Sequence, residues 1–264
     1  MADGYFCGGQ NTPPTPSIYD TVDRLEFSNE TMYHLSGNDL PTLRTQTVAV
    51  SGGASYRPKG SRTYGYFAGG ESPSTPESNR VDRLDFSNET FSLPTNEISS
   101  RTRLTAVSSS SYGYFGGGYW GVQGQGIMII DLSNETISRP GSSFDLSQQR
   151  NNLAAVKSNS YGYFGGGITP GTAINTTTVD RLDFFSETLS LPGNNLSQAR
   201  SWIGTLSNSS YGYFIAGYVG PDTTVPIVNG STTVDRIDFS NETVTLPGNQ
   251  YGYGESWGSG GVST

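Results

Sequence analysis

The feature that most constrains this chain is a repeat. The triplet Gly-Tyr-Phe begins at Gly4, Gly65, Gly113, Gly162 and Gly212, a period of about 50 residues. Each copy opens the same series of segments. A variable Gly/Pro/Ser/Thr stretch is followed by an alternating run such as Val81-Asp82-Arg83-Leu84-Asp85-Phe86, a Ser-Asn-Glu-Thr turn, and a short run such as Phe91-Ser92-Leu93 ending at Pro94. A polar connection, an Arg and a small-residue run such as Leu104-Thr105-Ala106-Val107 then lead into the next Tyr-Gly-Tyr-Phe. Four short strands at this period make a propeller blade, whose faces are covered only by stacking on neighbouring blades. The 35 glycines and the lack of Leu-rich helical windows agree with an all-β chain. The expected fold is a five-bladed β-propeller with four antiparallel strands per blade, forming a single domain over residues 1–264.

Closure follows from a count. Five Gly-Tyr-Phe runs are preceded by only four obvious small-residue runs. Ten residues after Leu191 stands Ser201-Trp202, and ten after Leu246 stands Ser256-Trp257, so the C-terminal segment is the missing inner strand. Its continuation is Gly4-Tyr5-Phe6 at the other end of the chain. One blade is therefore expected to form jointly from about 1–41 and 255–264, pairing edges that would otherwise stay open. In the rival arrangement the tail enters a neighbouring molecule and gives a strand-exchanged oligomer.

A net charge of -8 argues against a nucleic-acid partner, since phosphate backbones are held by clustered Lys and Arg. Membrane-surface binding is disfavoured for the same reason, and no apolar run approaches the roughly 20 residues that span a bilayer. The first residues enter repeat sequence at once, which predicts no Sec-type signal. The single cysteine, Cys7, stands where other units carry Ala, Gly or Ile and reads as a small buried residue.

The order of segments, with Arg before a small-residue strand, then Tyr-Phe-Gly-Gly, then a strand ending Leu-Asp-Phe, a turn, and a short strand ending in Pro, resembles the kelch repeat over essentially the whole chain. It departs where kelch repeats carry a Trp after the turn, because Met32, Phe91, Ile137, Leu189 and Val244 stand there. More narrowly, the wording YGYFGGG followed by VDRLDFSNET is similar to repeats in structural proteins of marine tailed phages, especially cyanophages. That resemblance implies a non-enzymatic virion-surface component such as a capsid decoration, tail-associated or fibre protein. Its partners would be other virion proteins and further copies of itself. The alternative is a glycan-binding adhesin, extracellular or on a cell surface by a non-Sec route; the third reading is a glycoside-active enzyme. The kelch resemblance also implies that the loops after Gly-Gly and the connections between blades share one face. Those loops differ most between units: 10–21, 71–80, 119–126, 168–178 and 218–233. Divergent loops on a repeated scaffold suit specificity, or record neutral drift.

Several residues are binding candidates. Arg44, Arg101, Arg150 and Arg200 begin the inner runs, with Glu255 in the fifth slot; they either line the channel mouth as an anion-binding ring or pair structurally with acids and carbonyls of an adjacent blade. The Asp-Arg pair at Asp23-Arg24, Asp82-Arg83, Asp180-Arg181 and Asp235-Arg236 is replaced jointly by Met128-Ile129, which points to a shared structural job. An insertion over 51–63 concentrates Arg57, Lys59 and Arg62, a candidate docking loop for an acidic neighbour. Tyr119, Trp120 and Tyr218 are loop aromatics suited to stacking on sugar rings or burial in a protein partner. Asn29, Asn88, Asn134 and Asn241 match the glycosylation triplet, but turn chemistry accounts for them. The lone histidine, His34, and the absence of metal-ligand spacing predict no catalytic residues, no metal and no cofactor.

Overall fold

The computed structural model describes residues 3–10, 17–51, 64–94, 96–119, 124–172, 174–220 and 230–248. Five antiparallel sheets form a β-propeller ring. Blade 1 contains the strands Asp3–Gln10, Ile18–Glu26 and Thr31–His34. Blade 2 runs from the inner strand Val48–Ser51 through Tyr64–Ala68 and Val81–Asp85 to the outer Thr90–Ser92. Blade 3 is Thr102–Ser108, Tyr112–Tyr119, Met128–Asp131 and Ile137–Ser138. Blade 4 is Ala154–Lys157, Tyr161–Gly165, Val179–Asp183 and Thr188–Ser190. Blade 5 is Gly204–Ser207, Tyr211–Ile215, Val234–Asp238 and Val244–Thr245. Within every sheet the strands follow chain order. The segment 255–264, expected to complete blade 1, lies outside the described residues, as do Glu255 and most of the 51–63 insertion.

Of the loop expected over 10–21, Gln10 and residues 18–21 are strand, and residues 11–16 lie outside the described residues. A bulge between Cys7 and Gly9 carries the pairing onward, so that Gly9 faces Tyr19 and Gln10 faces Ile18. The loop expected over 168–178 likewise contains a small hairpin, Ile168–Thr169 with Ile174–Asn175.

The core lies between blades, because each sheet can bury its faces only on its neighbours. Four clusters fill the four contacts from blade 1 to blade 5. Their shape explains the repeated words. A Cβ added at Gly113, Gly162 or Gly212, the first residue of Gly-Tyr-Phe, would stand 2.6, 2.8 or 2.5 Å from a methyl of Val50, Val107 or Val156 on the preceding inner strand. In the other direction, Phe164 and Phe214 lie against Gly116 and Gly165 of the preceding blade. Small and large residues thus alternate across each contact, as close packing requires. Cys7 packs in the cluster between blades 1 and 2, and burial pushes its thiol up to about 12, which makes it inert.

The Asn-Glu-Thr turns carry a second interblade device. Asn88 Oδ1 accepts from the Thr90 backbone N–H (3.0 Å) and hydroxyl (2.6 Å), and Asp85 is held below its usual range by the Ser87 hydroxyl and N–H. This geometry forces the intervening Glu into the left-handed region, with φ of 56, 59, 63, 52 and 60° at Glu30, Glu89, Glu135, Glu187 and Glu242. Such a backbone suits Gly or Asn better and costs on the order of 1 kcal/mol. In three of the five turns the Glu carboxylate reaches the preceding blade. Glu135 accepts from Tyr66 Oη (2.9 Å) and Arg83 (2.8 Å), and Glu242 from Tyr163 Oη and Arg181, each at 2.9 Å. Glu89 accepts from Tyr5 Oη at 3.2 Å and Arg24 at 2.5 Å.

Candidate functional site

Arg44, Arg101, Arg150 and Arg200 do not form a solvent-facing ring. All four are buried, between 0 and 1% exposed. Each guanidinium turns into its own blade, not an adjacent one. Arg150 donates to the carbonyls of Gly166 (2.7 Å) and Thr178 (2.8 Å) and to the Asp180 carboxylate; Arg200 donates to Ala216, Thr233 and Asp235 in the same pattern. Arg44 donates to Gly69 and Asp82. Arg101, whose blade has Met128 in place of Asp, donates to the carbonyls of Gly117 and Gly126 and to Ser99 Oγ. Burial pulls Arg101 down to about 10, with Arg139 adding to the shift and Asp145 opposing it. The Arg backbone meanwhile serves the preceding blade: Gly9, Gly70, Gly118 and Gly167 donate their N–H to the carbonyls of Arg44, Arg101, Arg150 and Arg200 at 3.2, 2.9, 2.9 and 2.8 Å. One residue type therefore ties a blade together and staples it to its neighbour.

The two members of each Asp-Arg pair have separate jobs, because consecutive strand residues point to opposite faces. Asp82, Asp180 and Asp235 hold the buried Arg of their own blade. Arg24, Arg83 and Arg181 reach the Glu of the next blade. In blade 1, Asp23 lies 3.4 Å from His34 Nδ1.

A pair of residues follows each buried Arg: the first is buried in all four blades, and the second is half-buried at Gln46, Arg103 and Trp202 and buried at Asn152. The first of the pair, Thr45, Asn151 or Ser201, exchanges both backbone hydrogen bonds with Glu71, Ile168 or Tyr218, while Thr102 pairs with Tyr119 in the sheet. The second, Gln46, Arg103, Asn152 or Trp202, is left-handed, with φ of 57, 59, 52 and 53°. These four residues come from successive blades and touch in sequence. Gln46 Oε1 accepts from Thr102 Oγ1 (3.1 Å) and Arg103 Nε (3.3 Å); Asn152 N–H donates to the Arg103 carbonyl and Trp202 N–H to that of Asn152, both at 2.9 Å. They form an arc of a collar around the axis. Below it the inner strands enclose a channel of about 310 Å³ lined by residues that include Ala49, Ala106, Ala155 and Thr205. The fifth collar position in register, Trp257, lies outside the described residues.

Of the loop aromatics, Tyr119 is 42% exposed and lies under the Arg103 guanidinium, 5.9 Å from its ring centre. Tyr218 is half-buried and pairs with Ser201, while its carbonyl accepts from Asn175 Nδ2 at 3.2 Å. Both stand beside the collar, on the face where the variable loops emerge. Trp120, Arg57, Lys59 and Arg62 lie outside the described residues. Sequence reasoning missed the collar because Gln46, Arg103, Asn152 and Trp202 do not repeat one residue type. The available signal was positional: a non-repeating residue two places after each repeating Arg.

The interblade tyrosines give a test of the packing around the ring. Burial, reinforced by the hydrogen bonds to Glu135 and Glu242, raises Tyr66 and Tyr163 well above the usual phenol, and burial raises Tyr114 to about 12. A folded value above the unfolded value near 10 means this stabilisation is complete below about pH 10 and is lost as pH rises through the folded values. A tyrosinate absorbance titration is expected to show a group of phenols that stays protonated until alkaline unfolding, with unfolding and that last ionisation coinciding.

Comparison with models of known protein families finds no match for this chain, and comparison with curated proteins finds none.

Proposed function

We propose that this propeller is a non-enzymatic binding and structural protein that recognises its partner through the loop face and collar, and that it is a surface component of a marine tailed-phage virion. One observation carries the binding part. Positions that join blades repeat nearly unchanged, whereas Gln46, Arg103, Asn152 and Trp202, with Glu71, Tyr119, Ile168 and Tyr218 beside them, share one backbone position and differ in chemistry. A scaffold that holds unlike side chains in strained conformations at one mouth is built to present them. The virion part is supported by the resemblance of the YGYFGGG and VDRLDFSNET wording to phage structural repeats. Mass spectrometry of purified particles, set against unbound protein from the same source, is the test. Fixed stoichiometry with the particle is expected; absence from particles overturns the virion reading.

The aromatics at the mouth favour a second reading, a glycan-binding adhesin. Trp and Tyr faces stack on sugar rings. On a glycan array this reading expects saturable binding that weakens roughly tenfold or more in Trp202→Ala and Trp120→Ala. Array silence removes it.

A further inference from the structure

Four blade contacts lie between consecutive blades; the fifth is between blade 5 and blade 1. We propose that this fifth contact closes within one chain through the same clamp that joins the others, with Tyr213 and Arg236 of blade 5 holding Glu30 of blade 1 and Tyr213 stacking on Phe27.

The registers identify the four residues. Tyr213 faces Arg236 across its sheet as Tyr66 faces Arg83 and Tyr163 faces Arg181. Glu30 is the Glu of the blade 1 turn, and Phe27 opens that turn as Phe86, Phe184 and Phe239 open theirs. At three contacts the earlier Tyr stacks on that Phe: Tyr5 on Phe86 at 5.1 Å, Tyr114 on Phe184 at 5.4 Å and Tyr163 on Phe239 at 5.5 Å. Three contacts also carry the ion pair.

Both halves of the fifth clamp are in their engaged shape. Arg236 lies over the Tyr211 ring at 4.6 Å, as Arg83 lies over Tyr64 at 4.5 Å and Arg181 over Tyr161 at 4.9 Å. Glu30 holds the left-handed φ of 56° that serves the clamp elsewhere. Yet no bond joins Arg236 or Tyr213 to Glu30 among the described residues, and Glu30 is exposed, whereas the clamped side chains of Glu89, Glu135 and Glu242 are 24, 24 and 21% exposed. Apolar residues beside the clamp follow suit. Phe6 is 41% exposed where its four equivalents are 0–5%, and Leu206 is 37% exposed where Val50, Val107 and Val156 are buried.

The contact between blades 3 and 4 shows what a missing clamp looks like: Ile129 replaces the Arg, and Glu187 is exposed. At the fifth contact the Arg and the Glu are both present, so charge complementarity names the partner. Blades 5 and 1 belong to one ring, and their shared chain raises the effective concentration of one edge for the other to about the millimolar range. A second copy could compete only at comparable concentration.

A charge-swap cycle on the full chain tests this, with Arg236→Glu, Glu30→Arg and the double variant read by thermal unfolding, and mass followed by light scattering. The pair Arg83→Glu and Glu135→Arg, at a clamp already formed, calibrates the response. Each single variant is expected to lower Tm by about 1–4 °C, and the double variant to recover at least half of the summed loss, in a monomer whose Tm does not depend on concentration. If the reversed charges prevent folding, Glu30→Gln and Tyr213→Phe give the same cycle in milder form. Unchanged Tm in the single variants, or additive losses in the double, overturns the proposal. Recovery confined to a concentration-dependent dimer overturns it as well, since the clamp would then join two copies.

Discussion

Replacing Asp180 with Ala is expected to destabilise the protein by about 3–5 kcal/mol, the loss typical of a buried charge deprived of its partner. Arg150 is 0% exposed, and Asp180 is the one carboxylate bound to it among the described residues. The second carboxylate oxygen, Oδ1, accepts from the Ser147 backbone N–H at 2.8 Å, so the substitution also orphans a donor in the connection from blade 3. The other blades show how closely this position is balanced. In blade 5, Ser197 N–H donates to Asp235 Oδ1 at 3.0 Å in the same way. In blade 2 the corresponding residue is Pro41, which has no N–H, and Arg80 supplies the donor to Asp82 Oδ1 at 3.3 Å. Blade 3 lacks the Asp. There the connection from Ile98 to Arg101 is one residue shorter than that from Leu146 to Arg150, Met128 fills the space, and its sulfur accepts from Ser99 N–H and Oγ at 3.2 and 3.0 Å. Blade 4 has no such rearrangement available to a truncated Asp180. Urea denaturation of Asp180→Ala beside Arg150→Met/Asp180→Met measures the effect. The double variant, which removes both charges and keeps the volume, is expected to lose less than the single; equal losses would mean that packing, not the unpaired guanidinium, sets the cost.

That blade 3 loses Asp and Arg together was visible in the sequence, and a shared structural job was the natural inference. The structure divides the job in two. Strand alternation sends Asp to the buried Arg of its own blade and Arg to the Glu of the next, and only the second contact crosses between blades. The blade count and the strand order were legible because they follow from a period. The clamp was not, because its members lie 52 to 84 residues apart, as in Arg83 with Glu135 and Tyr5 with Glu89, and because Asn-Glu-Thr explains itself locally as a turn. Only the left-handed φ of each Glu shows that the turn is strained for a purpose. The buried state of Arg44, Arg101, Arg150 and Arg200 was equally hidden. An Arg at a strand start usually reaches solvent, and here the carbonyls that satisfy it come from the bends after Gly-Tyr-Phe, about 16 to 25 residues away. The ends of the loop expected over 10–21 pair instead, for a local reason: Gly8-Gly9 resembles the strand-ending bends of the other units, whereas in blade 1 it is a bulge beyond which Gly9 and Gln10 still pair.

Gly166→Ala is expected to cost about 3 kcal/mol, and the reason lies in the neighbouring blade more than in the backbone. Its φ is +66°, and an added Cβ would stand 2.6 Å from the Arg200 carbonyl oxygen and 2.6 Å from the Ile203 side chain. That carbonyl cannot retreat freely, because it accepts the Gly167 N–H at 2.8 Å and belongs to the residue whose guanidinium anchors blade 5. Gly171 separates the two contributions. Its φ is +83° with nothing within 4 Å of an added Cβ, so Gly171→Ala pays only the left-handed backbone, about 1 kcal/mol. If both variants lose the same amount in denaturant titration, the glycine is needed for its φ alone and the interblade approach is not what selects it. The chain contains its own version of the experiment. Ala216 replaces this glycine in blade 5, buried and left-handed at φ 57°, and its N–H still donates to the Thr233 carbonyl at 2.9 Å. The inner-strand slot that the sequence assigns to the next blade, at Glu255, lies outside the described residues. At Gly8, Gly69, Gly117 and Gly166 the backbone carbonyl of the next blade's Arg stands within 2.7 Å of an added Cβ, and there the glycine is kept. Ala216→Gly is therefore expected to change stability by no more than about 1 kcal/mol, since it relieves backbone strain and removes no interblade contact that the other four blades depend on.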